Sequence, residues 1–175
     1  PKMMPAAEFR KTEGGQCMKA YNGLVELTVG PLAGRAEVEQ VKREAWKLPQ
    51  TRCAFMGASG HSVKILVAFT RPDNTLPLTR AEAEAFHAHA YIMAVKCYQP
   101  QLSFDIRPKE PFLEQYSRLS YDPDVLYRPD SVQFYLSQPM GVPDEMALHT
   151  EPAVSGQRPL ERALGSYETA DALSM

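Results

Sequence analysis

Alternating apolar and polar positions define the first clear element of the chain. Residues 24–29 alternate from Val25 onward. Val25, Leu27 and Val29 are apolar, whereas Glu26, Thr28 and, just beyond the segment, Gly30 are polar or small. Successive side chains of a β-strand point to opposite faces. The pattern therefore predicts a strand with one buried face and one polar, open face.

After this strand, segments with the hydrophobic periodicity of a helix alternate with segments that have the periodicity of a strand. The predicted elements are a helix over 35–48, strands over 51–56 and 63–69, a helix that begins after Thr79 and ends at Gln99, and a strand over 102–106. Thr79 and Glu82 form a capping box at the start of the second helix. Pro49 and Pro100 follow the ends of the two helices, since proline cannot continue a helix.

The resulting order, β-α-β-β-α-β, predicts an α+β fold of the ferredoxin-like or RRM-like kind. In that arrangement the first and third strands are central neighbours, the fourth lies beside the first, and the helices cover one face. The other face would carry Glu26 in the middle, with Lys64 on one side and Asp105 on the other.

The flanking segments are less regular. Residues 1–20 predict an arm or an edge strand, 111–119 a short helix and 132–136 a further strand. From Pro139 prolines and glycines increase and apolar residues decrease, which is typical of a linker or tail. We therefore predict a domain over 1–138 and an extension over 139–175, which includes a marginal helix over 159–173.

The loop Gly57–Lys64 joins the second and third predicted strands. Its small residues allow backbone amides to approach an anion closely, and His61 and Lys64 add two basic side chains. A tight hairpin turn with two surface basic residues explains the same stretch. The loop thus predicts either a phosphate site or a turn.

Composition limits the classes of protein. The chain has 175 residues, of which 44% are hydrophobic and 23% charged, with a net charge of −2. These values are typical of a globular domain and argue against a strongly basic nucleic-acid coat. Three cysteines without CxxC spacing predict no disulfide framework or zinc site and a cytoplasmic location. No apolar run approaches the ~20 residues of a membrane span.

Three segments together resemble the VirE N-terminal domain family, primase-like modules in replication proteins of bacterial mobile elements. The segments are Asn22-Gly23-Leu24-Val25-Glu26-Leu27, Ser59-Gly60-His61-Ser62-Val63-Lys64 and Ser117-Arg118-Leu119-Ser120-Tyr121-Asp122-Pro123-Asp124. The resemblance covers roughly residues 2–135. It implies the archaeo-eukaryotic primase superfamily, a ferredoxin-like core and a helicase-like ATPase region in the same full-length protein.

The resemblance also implies an active site in which carboxylates hold two divalent metals, Mg²⁺ or Mn²⁺, for phosphoryl transfer. Here the chain departs from the family. The acidic pair of the first strand falls on Thr28 and Gly30, neither of which is a carboxylate. Only Asp105 and an offset Glu26 remain, and Mg²⁺ needs a more complete set of oxygen ligands.

The sequence therefore predicts a degenerate primase-like module that binds DNA, RNA or nucleoside triphosphates without polymerase activity. Its predicted phosphate-binding residues are Ser59, Gly60, His61, Lys64 and Arg118. Two alternatives remain open. One is an active primase-polymerase that uses Glu26 and Asp105 as catalytic residues, with Asp105 as a metal ligand. The other is a structural or protein-interaction domain.

Overall fold

The structure is a computed structural model and describes residues 1–137. The predicted extension over 139–175, with its helix over 159–173, lies outside these residues. The strands are β1 (Lys2–Met3), β2 (Ala7–Thr12), β3 (Gly15–Tyr21), β4 (Leu24–Val29), β5 (Thr51–Met56), β6 (Val63–Thr70), β7 (Ser117–Arg118), β8 (Leu126–Tyr127) and β9 (Phe134–Tyr135). The helices are α1 (Arg35–Trp46), α2 (Arg80–Tyr98) and a 3₁₀ turn (Gln99–Gln101).

The main sheet has the strand order β4-β6-β5-β8, and each of these neighbours is antiparallel. Thr28 lies opposite Lys64 and Glu26 opposite Leu66 in the β4–β6 ladder. The far end of β6 pairs in parallel with β9. The bounds predicted for β4, β5 and β6 are confirmed to within one residue, because their apolar runs are bounded by proline and glycine.

Both helices contribute to one hydrophobic core with the apolar face of the sheet. The alternate β4 residues Val25, Leu27 and Val29 are fully buried in it. Val38, Val41 and Ala45 of α1 recur at helical spacing and form a single buried stripe. The Thr79 side chain accepts a hydrogen bond from the Glu82 amide, which confirms the predicted cap of α2.

Gly23 allows the chain to enter β4 closely against the end of β6. Its φ is +70°, and a Cβ there would lie 2.3 Å from the carbonyl oxygen of Phe69. The Phe69 amide donates to the Gly23 carbonyl at 2.8 Å. Any side chain at this position would push the two strands apart, which explains why the predicted Asn22-Gly23 turn contains a glycine.

The fourth predicted strand, 102–106, does not form. Its pairing with β4 is a single antiparallel bridge between Val29 and Ile106. The Gln99 side chain accepts from the Ile106 amide and donates to the Phe104 carbonyl, at 2.8 and 3.1 Å. These bonds hold the segment in a turn, and its hydrogen bonds to β4 are limited to the two on either side of the bridge. The fold is therefore mixed α+β, with two helices and several antiparallel sheets.

The flanking segments also differ from expectation. Residues 1–21 form β1 and the β2–β3 hairpin rather than a single arm or edge strand. The helix predicted over 111–119 is absent, and its end is instead β7, which pairs with β1. The strand predicted over 132–136 is reduced to β9. Within residues 1–137, no helix combines the length and apolar character needed to cross a bilayer.

The polar face of the sheet is covered, not open as the sequence predicts. Residues 107–136, which we call the strap, run from the end of β4 to β9 and contact β5 through β8. Glu26 and Thr28 retain only 7% and 6% exposure. The sequence does not reveal this cover, because the strap has few periodic apolar positions.

A buried salt bridge fastens the strap to α1. Lys42 Nζ lies 3.0 Å from Asp122 Oδ2, with side chains 1% and 6% exposed. The Met56 amide donates to the same carboxylate at 2.8 Å, and Lys42 also donates to the Asp124 carbonyl. Burial opposes ionisation of Asp122, but these hydrogen bonds and the ammonium group hold the carboxyl pKa below its usual value.

We expect Asp122→Asn to lower the free energy of unfolding by about 3–5 kcal/mol, because it leaves the buried Lys42 ammonium group with only the more distant Glu39 carboxylate. Urea denaturation measures the change. Asp124→Asn is the matched control, since the Arg35–Asp124 pair is exposed and should contribute below about 1 kcal/mol. Equal losses in the two variants would contradict the assigned role of the buried pair.

Candidate functional site

The loop between β5 and β6 is a closed turn. The Gly57 amide donates to the Ser62 carbonyl, and the Gly60 amide donates to the Gly57 carbonyl, both at 2.9 Å. The Ser59 hydroxyl accepts from the His61 amide at 3.2 Å. Three backbone amides of the predicted phosphate loop are therefore engaged within the loop itself. This geometry favours the hairpin interpretation of Ser59 and Gly60.

His61 is tied to the loop after β4. Its Nδ1 lies 3.0 Å from the Leu32 carbonyl oxygen, which can only accept, so Nδ1 donates. The Leu32 amide in turn donates to the His61 carbonyl at 2.8 Å. The imidazole remains exposed but is not bonded to Lys64. His61 and Lys64, which the sequence predicts to bind a phosphate together, therefore contact different parts of the structure.

A cavity of about 130 Å³ lies beside this loop, lined by Arg35, Glu39, Met56, Gly60, Asp122, Pro123 and Asp124. Three of its lining residues are acidic and one is basic. Arg35 is already paired with Asp124 at 3.1 Å. The charge of the cavity therefore disfavours a phosphate next to Gly60.

Lys64 belongs to a second group of residues beneath the strap, which we call the ion cluster: Glu26, Thr28, Lys64 and Lys109. Lys64 Nζ lies 3.2 Å from Glu26 Oε1 and 2.9 Å from Thr28 Oγ1. Lys109 Nζ, from the strap, lies 3.1 Å from the same Glu26 oxygen. One carboxylate oxygen therefore joins β4, β6 and the strap.

Burial and the attraction between opposite charges shift the pKa values of the ion cluster in opposite directions. Burial alone would raise the pKa of Glu26, but the ammonium groups of Lys109 and Lys64 together hold it below its usual value. Burial, with repulsion from Lys64, lowers the pKa of Lys109 despite the attraction of Glu26. The cluster carries two ammonium groups and one carboxylate, a net charge of +1.

Asp105 does not join Glu26. Its backbone carbonyl accepts a hydrogen bond from the Gly30 amide at 3.0 Å, while its side chain is exposed. Glu26 is bonded to two ammonium groups, which occupy its Oε1. Across residues 1–137, no three side chains of the His, Cys, Asp or Glu types come together as a metal site.

Arg118 lies on a different surface, the outer side of the strap. It stands opposite Lys2 in the β1–β7 ladder. Lys2 Nζ lies 4.2 Å from the centroid of the Tyr116 ring. Tyr116 and Arg118 are exposed, while Ser117 between them is buried. We call Lys2, Tyr116 and Arg118 the outer patch. Sequence reasoning missed Lys2 and Tyr116, because it predicted a helix where β7 forms.

Several other large side chains are exposed on the same strap. They include Phe112, Leu119, Tyr121, Val125, Tyr127, Val132 and Tyr135. Tyr121 is 85% exposed. Aromatic residues are costly to leave in water without a partner, and such a concentration marks an interaction surface. The outer side of the strap is therefore the strongest candidate binding surface of the described chain.

The fold and these two groups of residues define a small α+β domain with a covered ion cluster and an exposed aromatic surface. A family model described as BT4734-like, N-terminal domain matches residues 1–127. The chain belongs to this family. The resemblance to the VirE N-terminal domain family is therefore wrong, and the primase chemistry implied by it loses that support. Comparison with curated proteins gives no match, and comparison with solved structures gives none either.

We expect Glu26→Gln to reduce the free energy of unfolding by about 3 kcal/mol, because two neighbouring ammonium groups lose their shared carboxylate. Chemical denaturation at neutral pH measures the loss. Glu8→Gln serves as the control, since Glu8 forms an exposed pair with Lys19 and its loss should cost below about 1 kcal/mol. A Glu26 variant as stable as the control variant would refute the importance of the cluster.

A buried histidine predicts a pH dependence of stability. His87 lines a small cavity beside Glu26, and its Nδ1 lies 3.0 Å from the Tyr21 hydroxyl. Burial, followed by the charge of Lys109, lowers the pKa of His87 from 6.5 to about 4. At pH values between 4 and 6.5 the unfolded state binds more protons at this histidine than the folded state does. The contribution of His87 to the free energy of unfolding is therefore fully present above pH 6.5 and decreases as the pH falls toward 4.

We therefore expect His87→Gln to remove up to about 3 kcal/mol of this pH dependence. Urea denaturation of both proteins across the pH range from 4 to 6.5 measures the difference. His61→Gln, which removes an exposed imidazole, is the control, and the loss of pH dependence in His87→Gln should exceed any change in this variant. If His87→Gln retains the full slope, the assigned neutral state of His87 is incorrect.

Proposed function

We propose that this domain binds single-stranded nucleic acid and is not itself an enzyme. The observation that carries the proposal is the number of exposed aromatic side chains on the strap, with two cations beside one of them. Phe112, Tyr116, Tyr121 and Tyr127 each expose at least half of their surface. Lys2 and Arg118 supply positive charge at Tyr116.

This combination has a specific chemical use. Every nucleobase has a π-face, so exposed aromatic rings stack on bases with little dependence on sequence. Neighbouring lysine and arginine side chains neutralise backbone phosphates and make binding sensitive to salt. A duplex hides its base faces, whereas a single strand presents them. The outer surface of the strap therefore fits single-stranded DNA or RNA better than a duplex.

The ion cluster supports a structural role better than a phosphate-binding one. Lys64 and Lys109 already bind Glu26, and Lys64 also binds Thr28. A phosphate would have to compete with a carboxylate that is buried with them. The same contacts count against metal-dependent nucleotidyl transfer, because the two ammonium groups would repel a Mg²⁺ or Mn²⁺ ion at Glu26.

We further propose a ferredoxin-like arrangement for the core. The antiparallel order β4-β6-β5 and the Val29–Ile106 bridge beside β4 both fit it. We also propose a cytoplasmic location, which three free cysteines fit, since free thiols are typical of reducing compartments.

A protein partner is the second candidate function. The observation that favours it is the presence of exposed aliphatic side chains, Leu119, Val125 and Val132, among the aromatic residues of the strap. Aliphatic side chains do not stack on bases, but they fill pockets in a protein interface. A protein partner would also use the tyrosine residues, which are enriched in such interfaces.

Binding of a fluorescein-labelled oligothymidylate, followed by fluorescence anisotropy at low salt, tests the proposal. We expect Tyr121→Ala to weaken binding by about 5- to 150-fold, the equivalent of one lost base stack of about 1–3 kcal/mol. Leu78→Ala is the control, because Leu78 is a large exposed side chain outside the strap. A duplex of the same length should bind more weakly than the single strand.

Absence of binding to oligothymidylate and to oligouridylate at low salt would overturn the proposal and favour the protein partner. Equal affinity for single strand and duplex would also contradict it, since stacking requires accessible bases. An unchanged urea midpoint in Tyr121→Ala confirms that the variant is folded, because the replaced ring is exposed.

A further inference from the structure

Two cations face each other on the outer patch without a counter-charge. Lys2 and Arg118 are direct partners in the antiparallel β1–β7 ladder. Side chains directly opposite each other in such a ladder lie on the same face, and like charges there are destabilising. Within residues 1–137, neither residue has a carboxylate at ion-pair distance. An anion placed between them would relieve this repulsion.

The orientation of the pair is fixed by the alternation of β7. Ser117 is buried, so Tyr116 and Arg118 on either side of it project outward. The Leu119 amide donates to the Pro1 carbonyl at 3.0 Å and extends the contact between the two segments. Backbone pairing thus holds both cations and one aromatic ring on the same exposed face.

Tyr116 completes the arrangement. Its ring is 53% exposed, and Lys2 Nζ lies 4.2 Å from the ring centroid. A cation–π contact at an exposed site is weak, about 0.5–1 kcal/mol. A phosphate would attract the ammonium group more strongly than the ring does. Movement of Lys2 onto a phosphate would therefore leave the face of Tyr116 available to a base.

We propose that Lys2, Tyr116 and Arg118 form a subsite for one nucleotide of a single strand. The Arg118 guanidinium and the Lys2 ammonium bind one phosphodiester together, and the adjoining base stacks on Tyr116. The assignment rests on the proposed nucleic-acid function and specifies where one phosphate and one base bind. No covalent step is involved, and recognition depends on charge and stacking.

The sharing of one phosphate by two cations predicts how the salt dependence of binding should change in variants. For single strands, the logarithm of affinity falls with the logarithm of salt concentration with a slope of about 0.7 for each phosphate contacted. Lys2→Ala or Arg118→Ala alone should reduce this slope by up to about 0.7. The double variant should reduce it by about 0.7 in total, because both side chains bind the same phosphate. Separate phosphates would give reductions that add.

The experiment uses the full chain, a fluorescein-labelled oligothymidylate and a matching oligouridylate, with anisotropy measured across a salt series. Lys47→Ala is the control for charge, since Lys47 is exposed at the end of α1. Tyr116→Leu should weaken binding by about 5- to 150-fold. Leu78→Ala, at an exposed apolar side chain outside the strap, is the matched control for loss of exposed apolar area. The urea midpoint of each variant verifies folding.

The outcomes separate the two proposals. If the wild type binds the oligonucleotides but all outer-patch variants bind like the controls, the subsite is wrong and the nucleic-acid function stands. If the double variant reduces the slope by about 1.4, the two side chains bind separate phosphates and the shared phosphate is wrong. If the wild type binds neither oligonucleotide at low salt, the function fails and the subsite fails with it.

Discussion

The carboxylate of Glu26 is the point at which three parts of the molecule meet. It accepts from Lys64 on β6 and from Lys109 on the strap, while its own backbone belongs to β4. A charge buried in this way is tolerated only because it is paired. The need to pair this buried charge explains why the strap covers the polar face of the sheet. It also explains why Thr28 accepts a hydrogen bond from Lys64.

The covered face also determines what the protein presents to its surroundings. With Lys109 and Asp122 bound to the body of the domain and Leu113 buried in its core, most other large side chains of the strap between them are exposed. The inward position of Ser117 places Tyr116 and Arg118 on the outer side, next to Lys2. The same strap therefore provides both the buried electrostatic contacts and the exposed aromatic surface.

Local patterns predict the body of the domain well but not its strap. The alternation in β4 and the Thr79 cap are local signals, and both elements formed where the sequence indicated. The strand expected over 102–106 is limited to a single bridge, because the Gln99 side chain holds the segment in a turn, which no periodicity reveals. For the site, Lys64 was identified, but its partner Lys109 is distant in sequence. The small-residue loop and the resemblance to another family directed attention to Gly60, and of the outer patch they identified only Arg118.

The alternation of β7 has a consequence for how this segment can vary in length. Lys109 and Asp122 fix the chain at two points, and the residues between them include the buried Ser117. Insertion of a single residue before Ser117 would shift the pleat and turn Arg118 inward and its neighbour outward. Insertions of two residues would preserve the facing. Around β7 the chain is therefore constrained by parity rather than by length alone.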